Sequence, residues 1–192
     1  MNSEENTGSR LRERLLLLSI ILFGILIGAS LTFPSTTTME RPGPFKKAIA
    51  TIFWVGEAES EENDFITNAA SYWDSAWQEH YGGVDDPRCR NGFHPCAFTP
   101  SENPFYVALP FGEYLEGRLK WEARLLPWYA SGSPDPLLKN RWIELRHKGK
   151  SCFAQWEDVG PNEENDFGYV FGLHTTPKNS FGEKAGIDIS PR

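Results

Sequence analysis

The chain has 192 residues, of which 40% are hydrophobic and 14% aromatic, which is enough for one folded domain of ordinary size and a tail. Its formal net charge of −7 argues against nucleic acid as a partner, because phosphate backbones attract basic surfaces. No glycine-rich phosphate-binding loop, Gly-x-Ser-x-Gly motif or Asp-Thr/Ser-Gly motif occurs, which excludes the common signatures of nucleotide-binding proteins, serine hydrolases and aspartic proteases. We expect no cofactor.

The N-terminal segment predicts where the protein resides. Residues 15–33 form an almost uninterrupted apolar run, of about the ~17–25 residues that span a bilayer. Closely spaced arginines precede this run, so the positive-inside tendency leaves residues 1–14 in the cytoplasm. A cleaved signal peptide is the alternative, with Gly28-Ala29-Ser30 as a small-residue cleavage site. Either alternative exports residues 46–192, which follow a Ser/Thr/Pro-rich linker at residues 34–45.

Strands are predicted at both ends and in the middle of the exported part. Residues 48–55 and residues 103–110 are rich in β-branched, apolar and aromatic side chains, which is typical of strands. Residues 140–145 and 151–159 have the same composition and are separated by a short segment containing Gly149. This arrangement predicts a β-hairpin.

The segments between these strands give weaker signals. The rings of Trp73, Trp77 and Tyr81 recur every four residues, which predicts one face of a helix. We interpret them as a stripe packed on the core, with a sugar-binding platform as the alternative, because flat rings suit the apolar faces of sugars. Residues 57–64 are acidic and lack periodicity, which predicts a solvated loop, and residues 169–172 predict an additional strand.

The three cysteines favour an oxidising compartment. Cys89 and Cys96 enclose a tight loop that a disulfide would close in an exported protein. Cys152 is left over, which predicts a buried thiol or a different pairing. A metal site built from Cys89, His94 and Cys96 is the weaker alternative, because no second Cys/His pair occurs at zinc spacing. We therefore predict no metal.

Two aspartates occur where strands give way to turns. Asp158 precedes Gly160 and Pro161, and Asp188 lies in the sequence Ile-Asp-Ile-Ser-Pro. Aspartates at such positions often belong to functional sites, but they also cap turns, and both interpretations remain open here. A carboxyl group donates a proton near neutral pH only if its pKa is raised, and the apolar neighbours of Asp188 favour such a rise. Glu157 is expected to point to the opposite face of its strand from Asp158.

The order of these motifs resembles the double-psi β-barrel of rare lipoprotein A and the expansins. Asp-Val-Gly-Pro at residues 158–161 is similar to the family's Asp-x-Gly-Pro, and residues 187–191 are similar to its Ile/Leu-Asp-Leu-Ser-Pro. The family's first strand, Ala-Thr-aromatic-Tyr-Gly, resembles Ala-Thr-Ile-Phe-Trp-Val-Gly at residues 50–56, and its Leu-Pro-x-Gly resembles residues 109–112. The resemblance covers the chain from about residue 48 onward.

The resemblance implies a mainly β fold. We expect a six-stranded double-psi-like β-barrel with helical and loop insertions, preceded by one N-terminal transmembrane helix. The chain departs from the family in a longer interval before the hairpin and in an insert at residues 162–186. The family also continues beyond its Ser-Pro motif to a closing strand. We therefore expect either a barrel that is incomplete at its C-terminal end or closure by other segments.

The resemblance also implies a function at the cell envelope. The partner would be cell-wall polysaccharide, peptidoglycan or similar, reached by a membrane-anchored domain in the periplasm or outside the cell, or by a secreted one. Cleavage of a glycosidic bond needs a proton donor, and the resemblance makes Asp188 the candidate general acid with Asp158 as its partner. In lytic relatives one aspartate serves as both acid and base. Expansins use the same pair without hydrolysis, so the alternative is a non-catalytic carbohydrate-binding or structural module. The aromatic candidates for sugar binding are Trp54, Tyr72, Trp73, Trp156 and Tyr169.

Overall fold

The structure is a computed structural model and describes residues 45–191, apart from the side chain of Phe181. The predicted cytoplasmic N-terminus, the predicted membrane anchor or signal peptide, and nearly all of the predicted linker lie outside these residues. Among the residues described, no helix has both the length and the apolar character needed to cross a membrane.

The described residues are mainly β, with a few short helices. The strands are β1 (Ala50–Ile52), β2 (Arg90–Asn91), β3 (His94–Pro95), β4 (Tyr106–Leu109), β5 (Tyr114–Leu115), β6 (Arg118–Leu119), β7 (Arg141–His147), β8 (Lys150–Val159) and β9 (Ile187–Ile189). The helices are α1 (Trp77–Tyr81) and α2 (Phe167–Val170), with 3-10 turns at Glu61–Asn63, Glu122–Leu125 and Phe181–Glu183.

Five strands form one mixed sheet in the order β1-β9-β4-β8-β7. The central strand β4 runs parallel to β8 and antiparallel to β9, while β1 is parallel to β9 and β7 is antiparallel to β8. Within residues 45–191, β1 and β7 are edges and the sheet does not close, because neither edge strand pairs with the other. The expectation of a mainly β fold is thus confirmed, whereas the implied ring of six strands is not seen among these residues.

The hairpin predicted from the sequence is confirmed as β7 and β8. Its ladder extends from the Arg141 and Trp156 pair to the His147 and Lys150 pair. Lys148 and Gly149 form the connection with φ values of +48° and +78°, the left-handed conformation that two-residue hairpin turns require.

Hydrophobic clusters cover both faces of β4. Val107 belongs to one cluster, together with Trp156 and other residues of the hairpin. Tyr106 and Ala108, which alternate with Val107 along the strand, belong to the other cluster, which also contains Trp77. Full burial of a large apolar side chain stabilises a fold by about 1.5–3 kcal/mol, so the two clusters fix the central strand from both sides.

The prediction that three aromatic rings share one helical face is wrong for Trp73. Helix α1 begins only at Trp77, because the preceding residues form turns in which Asp74 accepts the N–H of Ala76 at 3.0 Å. Trp77 and Tyr81 are fully buried, which confirms the interpretation of these two rings as core. Trp73 packs against the other cluster, on the Val107 side.

One further local prediction is wrong, and another holds except at a single residue. The segment predicted as an additional strand at residues 169–172 instead forms the end of α2 and the turn that follows it. The Asp166 carboxylate accepts the N–H of Tyr169 at 3.3 Å and caps the helix. The acidic segment at residues 57–64 is largely exposed, as predicted, except for Glu57, which is only 8% exposed and accepts a hydrogen bond from Asn68 at 2.8 Å.

The cysteines confirm one prediction and correct another. Cys89 and Cys96 form a disulfide across the base of the β2–β3 hairpin, with their Cα atoms 5.2 Å apart. Cys152 is neither buried nor differently paired: it is a free thiol on an exposed part of β8, close to the hairpin turn. Among the described side chains, no group of three or more His, Cys, Asp and Glu is placed to hold a metal ion.

Candidate functional site

The central strand brings the two candidate aspartates together. Asp158, near the end of β8, and Asp188, in the middle of β9, both pair with Ala108 of β4. Residues opposite one another in a ladder place their side chains on the same face, so the two carboxyl groups flank a single methyl group. Adjacent strands are about 4.8 Å apart, so the backbones of the two aspartates are separated by about 10 Å.

Gly160 brings the chain back over this pair. A Cβ atom placed on Gly160 would lie 3.3 Å from Oδ2 of Asp188 and 3.8 Å from the Cβ atom of Ala108. The glycine therefore lets the turn after β8 approach the carboxyl group closely, which a side chain at this position would hinder.

A β-bulge determines which acidic residue faces Ala108. Val107 pairs with Trp156, but the next residue, Ala108, pairs with Asp158, so the ladder skips Glu157. A bulge of this kind redirects side chains, and the regular alternation expected for Glu157 and Asp158 is interrupted here. Glu157 is itself only 4% exposed. Burial raises its pKa to about 7, against the opposing charge of Lys139.

Asp158 is the more enclosed of the two aspartates, being 8% exposed. Its Oδ1 atom accepts the backbone N–H groups of Tyr72 at 2.7 Å and Val159 at 2.8 Å. Burial raises the pKa of Asp158 to about 7, the two N–H groups oppose the rise, and the charge of Asp188 adds to it.

Asp188 is partly accessible and has its own set of partners. Thr51 pairs with it across the β1–β9 ladder, and the Thr51 hydroxyl group donates a hydrogen bond to Oδ1. Burial raises the pKa of Asp188 to about 6; the Thr51 hydrogen bond lowers it, and the negative charge of Glu57 raises it. The rise in pKa that the apolar neighbours of Asp188 predicted is therefore confirmed.

The environments of the two aspartates allow them to act as proton donors. Burial is the main cause of the raised pKa of both carboxyl groups, and both therefore retain protons into the near-neutral range. A carboxyl group that is still protonated there can donate its proton to a leaving group, which ordinary surface aspartates cannot do.

An open cleft of about 740 Å³ is lined in part by residues that bind Asp158. Tyr72 and Val159, whose N–H groups bind Asp158, form part of its wall, although neither aspartate lines the cleft directly. Its size is within the range of small-molecule binding sites. A ligand in this cleft would therefore contact residues that hold the carboxyl group of Asp158 in place.

Three of the aromatic candidates for sugar binding lie away from this cleft. Trp156 and Tyr169 are each 2% exposed, so their rings are enclosed by protein and offer no face to a ligand. Trp54 is half-buried and does not belong to the cleft wall.

The other two candidates, Tyr72 and Trp73, are neighbours in the chain. Tyr72 lines the cleft, and its hydroxyl group donates to the carbonyl of Tyr114 at 2.5 Å and accepts the N–H of the same residue at 2.9 Å. Trp73 donates its indole N–H to Glu113 at 2.9 Å and packs in the core. Of the five aromatic candidates, only Tyr72 is therefore placed to contact a ligand in the cleft.

Sequence reasoning missed several residues that shape the site. Thr51 lowers the pKa of Asp188 and Glu57 raises it. Ala108 lies between the two aspartates. Thr51 lies in the Ala-Thr pair that the resemblance had noted, which is a usable signal. Glu57 belongs to an acidic run and Ala108 to an ordinary strand, so neither carries a local signal.

Comparison of the chain with models of protein families, with curated proteins and with solved structures finds no match. The chemistry of the site is therefore the basis for assigning a function: a partly enclosed pair of carboxyl groups with raised pKa values, beside an open cleft.

Proposed function

We propose that this chain is an exported cell-envelope protein that cleaves glycan strands, peptidoglycan or a similar polysaccharide, with Asp188 as the general acid. The observation that carries the proposal is the placement of Asp158 and Asp188, both with raised pKa values, on either side of Ala108 and beside a cleft. The Cys89–Cys96 disulfide supports export, because such bonds persist in oxidising compartments. The N-terminal apolar segment would serve as anchor or cleaved signal.

The proposed reaction uses the two aspartates in different roles. Asp188, the more accessible one, donates its proton to the glycosidic oxygen, and the C1–O bond breaks with its electron pair going to that oxygen. A hydroxyl group, from water or from the same sugar, then bonds to C1 and returns a proton to Asp188. Asp158 is a positioning residue: the charge of Asp188 adds to the rise in its pKa, so it stays protonated over the pH range in which Asp188 loses its proton.

We also propose that the open sheet is part of a double-psi-like barrel. Two observations support this topology. The first strand pairs in parallel with β9, and that pairing places Thr51 opposite Asp188. The two aspartate motifs, which are far apart in the sequence, lie on the strands that flank β4.

The test of the proposed cleavage is product release from isolated peptidoglycan. We would incubate the full-length protein with the insoluble polymer and analyse the soluble fraction by mass spectrometry. Soluble sugar fragments from wild type, absent with Asp188→Asn, would support cleavage by this residue. A folded wild-type protein that releases nothing, or an Asp188→Asn variant as active as wild type, would refute it.

A non-catalytic sugar-binding module is the second candidate, and one observation favours it. Trp142 on β7 and Phe153 on β8 are 60% and 57% exposed, and the hairpin register places them on the same face as diagonal neighbours. Such exposed rings suit the apolar faces of sugars. If Trp142→Ala and Phe153→Ala abolish co-sedimentation with peptidoglycan while wild type yields no fragments, this second function is the correct one.

A further inference from the structure

The cleft beside the carboxyl pair has an acidic wall. Asp64, Glu163 and Glu164 line it, and Lys178 is the single basic residue among the lining side chains. Three carboxylates against one ammonium group leave an excess of negative charge in a concave surface, where fields are focused.

The carboxylates come from two separate segments that meet at the cleft. Asp64 follows the 3-10 turn Glu61–Asn63, and its Oδ2 atom accepts the side-chain N–H of Asn162 at 3.1 Å. Glu163 is held by its own loop, since its Oε1 atom accepts the N–H groups of Glu164 at 3.0 Å and Asn165 at 2.6 Å. The orientation of Glu163 is thus set by the backbone before any ligand arrives.

The nearby lysines cancel only part of this charge, because three carboxylates line the wall and Lys120 lies behind it. The ammonium group of Lys178 donates to the carbonyl of Asn165 at 2.6 Å, which holds it against its own loop, and its charge offsets one of the three carboxylates. Lys120 donates to the carbonyl of Glu164 at 2.7 Å, but Lys120 is 9% exposed and does not line the cleft. A ligand in the cleft therefore meets carboxylates more readily than ammonium groups.

Two other residues of the wall indicate that a ligand with both polar and apolar parts fits there. Asn179 is 8% exposed, and its Oδ1 atom is buried without a hydrogen-bond partner among the described residues, while its Nδ2 atom donates to Ala185. An unpaired buried acceptor is costly unless a donor approaches it. Ile66 is 42% exposed and supplies an apolar surface in the same wall.

We propose that this cleft takes a glycan segment whose sugars carry free amino groups, a run of glucosamine units, in preference to N-acetylated sugars or uronic acids. The inference rests on the proposed function, because the cleft adjoins the same aspartate pair. A protonated amine offers three donors to carboxylates and to the Asn179 acceptor. An N-acetyl group lacks the charge, and a uronic acid carries the wrong one.

The test compares two short oligosaccharides by calorimetric titration of the full-length protein at mildly acidic pH, where the amines are protonated. The structure predicts that the glucosamine oligosaccharide binds about tenfold more tightly than its N-acetylated counterpart, the equivalent of two favourable charge pairs. Added salt should reduce this preference, because the charges are partly exposed.

Variants separate the cleft from the overall charge of the protein. Asp64→Asn combined with Glu163→Gln should abolish the preference, because both variants keep the acceptor oxygen but remove the charge. Glu79→Gln combined with Glu116→Gln removes the same charge from exposed positions outside the cleft wall and should leave the preference intact. Equal or tighter binding of the N-acetylated oligosaccharide, no binding of either, or an equal loss in the control variant would overturn the inference.

The outcomes also distinguish this inference from the proposed function. If the protein cleaves glycan through Asp188 but shows no preference for sugars with free amino groups, the inference fails and the proposed cleavage stands. A clear preference for the glucosamine oligosaccharide, in a protein that releases no fragments from any glycan, would overturn the proposed cleavage alone.

Discussion

Asp158 and Asp188 lie opposite the same residue, Ala108, on the two strands that flank the centre of the sheet. The arrangement joins a parallel ladder on one side to an antiparallel ladder on the other, with the bulge at Glu157 bringing Asp158 into register. Because alanine has the smallest side chain that still fills a core position, only a methyl group projects from β4 between the two aspartates.

Ala108→Val should therefore disturb the pair. Ala108 is 1% exposed, so two added methyl groups would push against the carboxyl groups or the neighbouring ring cluster, at a cost of about 1–3 kcal/mol in the free energy of unfolding. We expect glycan cleavage to fall by more than about tenfold, measured as fragment release.

The matched control for this prediction is Ala154→Val. Ala154 is 4% exposed and lies in the cluster on the opposite face of the sheet. It should lose comparable stability, measured by chemical denaturation, yet retain cleavage. If both variants lose activity equally, the effect of Ala108→Val is general destabilisation and not displacement of the carboxyl groups.

The pH dependence of cleavage should follow the environment of Asp188. The general acid must be protonated, so activity should fall as pH rises through about 6. Thr51→Val removes the hydrogen bond that lowers the pKa of Asp188, so the decline should move to higher pH. Glu57→Gln removes the charge that raises this pKa, so the decline should move to lower pH. If the rate profiles of the two variants shift from that of wild type in the same direction, or do not shift, this assignment is contradicted.

The pH dependence of the free energy of unfolding should reveal the raised pKa of the buried Asp158 carboxyl group. Its pKa is raised from 3.8 to about 7, so the folded state binds a proton that the unfolded state releases, and wild type loses stability as pH rises between these values. Asp158→Asn cannot ionise and its amide oxygen can still accept both N–H groups. We expect it to match wild type at the acidic end and to exceed it at the alkaline end, by at most about 4 kcal/mol.

Denaturation of the two proteins across this range of pH measures the difference directly. The exposed Asp135→Asn is the control and should show a constant difference from wild type. A constant difference for Asp158→Asn as well would mean that Asp158 ionises in the folded protein as it does in the unfolded chain.

The disulfide should stabilise the fold, because it closes a loop and so restricts the unfolded chain. Replacing Cys89 and Cys96 by serine should lower the free energy of unfolding by about 2 kcal/mol, the loop-entropy value for their separation of seven residues. Cys152→Ser is the matched control and should leave stability unchanged, because this thiol is free and exposed. Chemical denaturation of both proteins under non-reducing conditions provides the comparison. An equal loss in both would show that the disulfide does not constrain the unfolded chain.

Local features were predictable from the sequence. The β7–β8 hairpin follows from two apolar runs around Gly149, and the pairing of Cys89 with Cys96 follows from their short separation. Both depend on residues that are close in the chain, so no knowledge of the tertiary fold is needed.

Features that depend on distant segments were not predictable. The bulge at Glu157 is defined only by its partner strand β4, and the burial of Glu57 only by the segments that pack around it. Trp73 keeps the spacing of a helix, yet the turn at Asp74 delays the helix until Trp77. In each case tertiary contacts or side-chain hydrogen bonds override the local pattern.

The claim on which the account depends is that the Asp158–Asp188 pair retains a proton near neutral pH. Carbon NMR of the labelled aspartate carboxyl groups, assigned with Asp158→Asn and Asp188→Asn, measures this directly. We predict a transition at about 7 for Asp158 and at about 6 for Asp188. Transitions of both groups near the ordinary aspartate value of about 3.9 would contradict the account, because neither group could then act as a proton donor.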